Sequence, residues 1–262
     1  MEYIDSELFG EIASPNKFSD ILQLTSDHSG DRRNVYMWRG QANMDWPMHS
    51  AAYRRLKSEG AHVTELRMRL YERRLIRLAA HQGYDYENGR KLSDLEVLAK
   101  LQHHGAATRL MDFSRNLLVA LWFACKSEPN NTGLLFGIHT DNIGGYEGEL
   151  ETGTYDEIIC QEELKEYSYP QTWQPPVVTK RIASQSAQFV YSAISNDPAG
   201  SLTFNKDDST YLAMAINPSF KKELIELLEG TFDIRQLTLF PDIDGFCFAH
   251  NERFGAFDND RW

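Results

Sequence analysis

The sequence predicts an α+β fold, a mixed central β-sheet flanked by helices, and three observations carry that expectation. Short runs of β-branched and aromatic residues at 35–38, 134–138, 188–194 and 211–216 have strand composition. Longer stretches between them space their apolar residues as helices do. No internal repeat and no low-complexity linker divides the chain, so residues 31–262 are read as one domain behind a polar, partly helical lead-in at 1–30.

Taken in order, the opening segment is polar and rich in turn residues, with a short helix expected over 18–24 after Ser14-Pro15-Asn16. Residues 35–38 then form a buried strand that ends at Arg39-Gly40. From Thr64, a capping residue, to Ala80 the positions Leu66, Leu70, Leu75, Ile76 and Ala79 fall at near-helical spacing. Arg67, Arg69, Arg73, Arg74 and Arg77 crowd the same stretch, and with Glu65 and Glu72 among them they read as a solvated helix face. A further helix starts at Ser93 or Asp94 and stops at Gly105, which suits a left-handed exit. The run 117–125 is apolar on nearly all sides and reads as a buried helix. Residues 134–138 follow as a central strand, and 141–174, without clear period, as a long insertion. Beyond lie the strands at 188–194 and 211–216, a helix over 219–228 ended at Gly230, a turn at 240–245 and a last short strand at 246–248.

A formal net charge of -11 argues against a broad grip on nucleic-acid phosphates, which clustered Lys and Arg supply. Cys125, Cys160 and Cys247 are odd in number and far apart, so they read as buried thiols rather than as a disulfide or zinc framework. The amino terminus lacks the basic start and apolar run of a signal peptide, and no stretch has the length and apolarity to cross a bilayer, which together point to the cytoplasm.

Polar residues suited to chemistry gather at a few places. Arg39, closing an apolar strand, needs an anion: an internal carboxylate or a bound phosphate. Gly40 lets something approach the backbone and Gln41 adds an amide. His103 and His104 end a helix, where a cap explains them as well as a ligand does. Their nearest acid, Asp112, belongs to no metal pattern, so no metal is expected. Arg109, Asp112 and Ser114 read either as an ion pair with a helix cap or as oxygens offered to a ligand at a helix start. Arg181, Gln185 and Gln188 lead into a strand whose edge faces a cleft. Serine-nucleophile, Walker and Rossmann signatures are absent.

The segments 37–41, 98–114, 120–124, 181–189 and 239–245, in this order, resemble the FRG domain family over about residues 30–250. A fainter likeness is to arginine-type ADP-ribosyltransferases. There a strand ends in an arginine that grips NAD, a Ser-containing strand leads into a helix, and a last strand brings a glutamate. Arg39-Gly40, then Asp112-Phe113-Ser114, then residues 185–189 fall in that order. The resemblance implies an ADP-ribosyltransferase-like fold, with NAD as substrate and ADP-ribose moved to a protein, nucleic acid or water. It places Arg39, His104, Asp112 and Gln185 in catalysis, and Arg39, Gly40, Gln41, His103, Arg109 and Ser114 in NAD binding. It also implies a bacterial toxin or phage-defence effector, with an antitoxin or chaperone as partner. Gln185 stands where the transferases have glutamate, and Asp112 with His103 or His104 is expected to take over the charged role. Binding of a nucleotide or protein without turnover, or nucleic-acid processing, are the alternatives.

Overall fold

The computed structural model describes residues 2–27, 36–60, 62–145, 148, 150–159, 164, 169–177, 179–203 and 210–252. Its centre is an eight-stranded mixed sheet in the order β1-β2-β10-β7-β3-β6-β9-β8. The strands are β1 (Glu2–Ser6), β2 (Gly10–Ser14), β3 (Tyr36–Gln41), β6 (Met111–Ser114), β7 (Gly133–His139), β8 (Gln171–Trp173), β9 (Ala187–Tyr191) and β10 (Tyr211–Ile216); the pair β4 (Tyr86–Glu87) and β5 (Arg90–Lys91) forms a separate hairpin. Neighbours run antiparallel except β2 and β10, which meet in parallel through the single pair Met214 and Ala13. The expected α+β class holds.

Period-two alternation divides the core between the two faces of the sheet. Trp38, Leu135, Leu212, Met214 and Ile216 join one cluster, against the helices α1 (Phe18–Asp27), α5 (Leu117–Cys125) and α8 (Pro218–Thr231). Met37, Leu134, Phe136, Ile138, Ala213 and Ala215 alternate into the other. The strand β7, buried at every residue, is the central strand expected at 134–138.

Helix starts follow the capping residues. Thr64 accepts a hydrogen bond from the Arg67 amide and opens α3 (Glu65–His81), after the short α2 (Ala51–Ser58). Ser93 and Glu96 form a capping box at the start of α4 (Asp94–His103), which ends at Gly105 with φ +89°.

Several expectations are corrected. The first residues form the β1-β2 hairpin at the sheet edge, where outward polar residues conceal a strand pattern. Arg39 lies within β3 rather than at its end, because β7 keeps pairing through Gln41; Val35 is outside the described residues. The stretch 141–174 sends α6 (Tyr155–Ile159) into the core and β8 onto the sheet. Gly230 is inside α8, not beyond it. Residues 246–248 are helical: Asp242 accepts from the Gly245 amide and starts α10 (Ile243–Ala249), after α7 (Lys180–Ser184) and α9 (Gln236–Leu239). Cys125 is buried, with its thiol pushed up to about 12 by burial, whereas Cys247 is exposed; Cys160 lies outside the described residues. Among the described residues, no helix is long and apolar enough to cross a membrane.

His49 links the core to pH. It is buried, stacks on Tyr53 at 4.2 Å, and its Nδ1 has no hydrogen-bond partner. Burial, reinforced by Lys57 and Arg54, lowers its pKa from 6.5 to about 4. Between those values the unfolded chain holds a proton that the folded chain rejects, so stability present above pH 6.5 is lost as pH falls toward 4. Urea midpoints should drop between pH 7 and pH 5, and His49→Phe, which keeps a ring against Tyr53, should shrink the drop; an unchanged drop would assign it to other groups.

Candidate functional site

A cavity of about 290 Å³ opens where β3 and β6 share only the ladder pair Trp38–Ser114. Beyond that pair Arg39 Nη1 donates 2.7 Å to the main-chain oxygen of Asp112, so a guanidinium supplies a donor between the strands. The cavity is lined by Arg39, Gln102, His103, Asp112, Ser114, Thr179, Arg181 and Gln185 on its polar side, and by residues that include Val119, Phe123, Phe189 and Phe240 on its apolar side.

The floor is a connected polar array. The Thr108 hydroxyl donates to Gln102 Oε1, which turns the Gln102 amide so that Nε2 donates 2.7 Å to Asp112 Oδ1. Burial raises the Asp112 pKa above the ordinary carboxylate value, against the pull of Arg39 and of the Gln102 hydrogen bond. Burial likewise lowers the pKa of Arg39, against the attraction of Asp112. Arg39 Nε and Thr179 Oγ1 are buried without a hydrogen-bond partner, and both residues line the cavity. Buried donors are normally satisfied, so two unpaired ones on residues that line one cavity set this part of the fold apart.

At the rim, Arg181 makes bonds of 2.5 and 2.8 Å to the two oxygens of Asp242 and lies over the Phe240 ring at 4.9 Å. Arg181 and Gly245 as donors hold the Asp242 carboxyl down at about 2, although burial pushes the other way. His103 Nε2 stands 3.2 Å from the same carboxylate. Burial and the neighbouring Arg181 lower the His103 pKa, which favours a neutral imidazole.

Arg39, Gly40, Asp112, Ser114, Gln185 and His103 are therefore brought together on one cavity, while Gln41, His104 and Arg109 are not. Gly40 lines the cavity and also serves packing: a Cβ there would stand 1.8 Å from the Ala120 carbonyl, so α5 makes the close approach that the glycine allows. Gln41 is buried and donates 2.9 Å to the Trp46 carbonyl. Arg109 sits at a bend before β6 and is not the partner of Asp112, because its guanidinium is buried where Glu72 neutralises it. It lies buried against Glu72, Glu65 and Tyr155 instead. His104 is exposed and turns to Asp244, away from the cavity. Ser114 does not cap α5, since Asn116 takes that place with its side chain accepting from the Leu118 amide. Ser114 Oγ instead accepts from the Asn116 amide and donates 2.7 Å to the Gln185 carbonyl. Gln188 is buried in the sheet, donating to Thr172 Oγ1.

The arginine-rich α3 is not simply a solvated face. Glu72 is fully buried, and Arg67, Arg69 and Arg73 pair with Glu59, Glu65 and Asp156. Thr179, Phe240 and the wall residues Phe123 and Phe189 escaped the sequence reading. Phe123, Phe189 and Phe240 lie inside the segments 120–124, 181–189 and 239–245 that resemble the family, the signal that points to them, whereas Thr179 has none. Among the described residues, one group has side chains placed to hold a metal ion: His103, His104 and Asp244.

Residues 34–132 match the family model of the FRG domain. This stretch is similar to the FRG domain. It contributes the Arg39, Gln102, His103, Asp112 and Ser114 side of the cavity, while Thr179, Arg181, Gln185, Phe189 and Phe240 come from beyond the FRG match. No curated protein and no solved structure matches the chain.

Proposed function

We propose that the cavity binds NAD and that the protein breaks the nicotinamide–ribose bond, passing ADP-ribose to a macromolecular acceptor or to water. The observation that carries this reading is the convergence of Arg39, Asp112, Ser114 and Gln185 on one cavity, with Arg39 Nε and Thr179 Oγ1 buried and unpaired. Arg39 would take a phosphate or ribose oxygen, and a guanidinium suits that task by its planar fork of donors. The apolar wall of Val119, Phe123 and Phe189 would receive the nicotinamide ring. As the ring leaves with the bonding electron pair, positive charge develops on the ribose, and the Asp112 carboxylate would stabilise it. Water or an acceptor nucleophile then forms the new bond at the same carbon. The Gln102 hydrogen bond keeps that carboxylate oriented. In a cell, an enzyme of this kind would act as a toxin or phage-defence effector held in check by a partner protein.

A second reading, binding without turnover, is favoured by Gln185. Its amide donates 2.9 Å to the Leu239 carbonyl, which commits it to structure, and an amide supplies no negative charge. The two readings part on one preparation given NAD: calorimetry reports binding, and chromatography of the mixture, with and without candidate acceptors, reports free nicotinamide. Binding with release of nicotinamide supports catalysis, whereas binding without release under every condition supports the second reading and overturns the first.

A further inference from the structure

We propose that His103, His104 and Asp244 form a site for one divalent transition-metal ion of the zinc type beside the cavity, which His103 alone of the three lines. His103 is the last residue of α4 and His104 is its C-cap, so both imidazoles leave one helix end, with ring centroids 4.9 Å apart. Asp244 lies in the first turn of α10, which the Asp242 cap holds against them. One ligand atom from each of the three residues falls within 4.8 Å of the others.

The separations suit an ion better than they suit direct contact. His104 Nδ1 is 3.5 Å from Asp244 Oδ2, long for a hydrogen bond. Two ligands on a tetrahedral ion with bonds of about 2.1 Å stand roughly 3.4 Å apart. Two imidazole nitrogens and one carboxylate oxygen form a donor set for zinc or its neighbours, whereas calcium and magnesium call for oxygen throughout. Asp242 and Asp244 set two carboxylates beside the single guanidinium of Arg181, so the local field favours a further cation. Arg181 Nη2 lies 3.9 Å from Asp244, and its two bonds to Asp242 draw its charge away from the proposed ion. The fourth position stays open to water or to a group in the cavity, which His103 also lines. An acid 140 residues distant in sequence completes the set, which is why the histidine pair alone suggested no metal.

The site stands whether or not the cavity takes NAD, and its test needs no substrate. Cobalt(II) titrated into the metal-free full chain should produce the visible absorption of a tetrahedral site, saturate at one ion per chain and be displaced by zinc. His104→Ala and Asp244→Asn change exposed side chains and should leave the circular dichroism unaltered. Each should weaken cobalt binding by at least about tenfold, the loss that follows removal even of supporting groups around a metal. His81→Ala, an exposed histidine at the end of α3, should bind as the wild type does. The absence of a tetrahedral band, or undiminished affinity in both site variants, would overturn the proposal.

Discussion

Arg39→Ala is expected to lower the rate of nicotinamide release per unit of NAD by roughly a hundredfold or more, the scale for truncating one partner of a buried, hydrogen-bonded charge pair. Its guanidinium lies beside Asp112 on the cavity floor, so the variant removes the cation there. The fold should survive. Asp112 is exposed and keeps its hydrogen bond from Gln102, so losing Arg39 does not strand a buried charge. Arg39→Lys should recover little, because an ammonium keeps the charge but loses the planar fork. Steady-state release assays with circular dichroism on both variants check this; a wild-type rate from Arg39→Ala would remove the cavity from the reaction.

Glu72→Ala should be the most destabilising single change of those considered, by about 3–5 kcal/mol, the cost of removing one partner of a buried ion pair. Glu72 accepts from the Arg109 amide and Nε at 2.7 Å each and from the Tyr155 hydroxyl at 2.6 Å. Burial works against the Arg109 charge, but Glu72, Tyr155 and Glu65 more than offset it and hold the guanidinium's pKa above its usual value. Without Glu72 that charge is buried with only Glu65 to balance it. Urea unfolding would show the loss, and the pair Glu72→Met with Arg109→Met should recover part of it by removing both charges. A Glu72→Ala midpoint close to the wild type would mean that water reaches Arg109.

The sequence made local features legible and long-range ones not. The caps Thr64 and Ser93 and the exit at Gly105 mark α3 and α4, because each acts on amides or carbonyls within a few residues. The apolar runs of α5 and β7 mark the two elements at the centre of the domain. Arg39 closes an apolar run, Asp112 and Ser114 precede the buried helix, Gln185 leads into a strand, and all four line the cavity. The sequence offers Asp112, three residues away, as a partner for Arg109, whereas the true one, Glu72, lies in an arginine-rich helix that looks solvated in sequence. Phe246 and Phe248 resemble a strand in composition, yet both are exposed on α10, which depends on the Asp242 cap rather than on apolar pattern. Thr179 on the cavity and Asp244 beside the histidines become meaningful only when distant segments meet.

The central claim is that the Arg39 cavity is a site for NAD, and calorimetric titration of NAD into the wild-type chain, paired with Arg39→Ala, tests it most directly. The expected result is one NAD bound per wild-type chain and an affinity reduced by roughly a hundredfold in the variant. Failure of the wild type to bind NAD, or equal binding by both proteins, would contradict it.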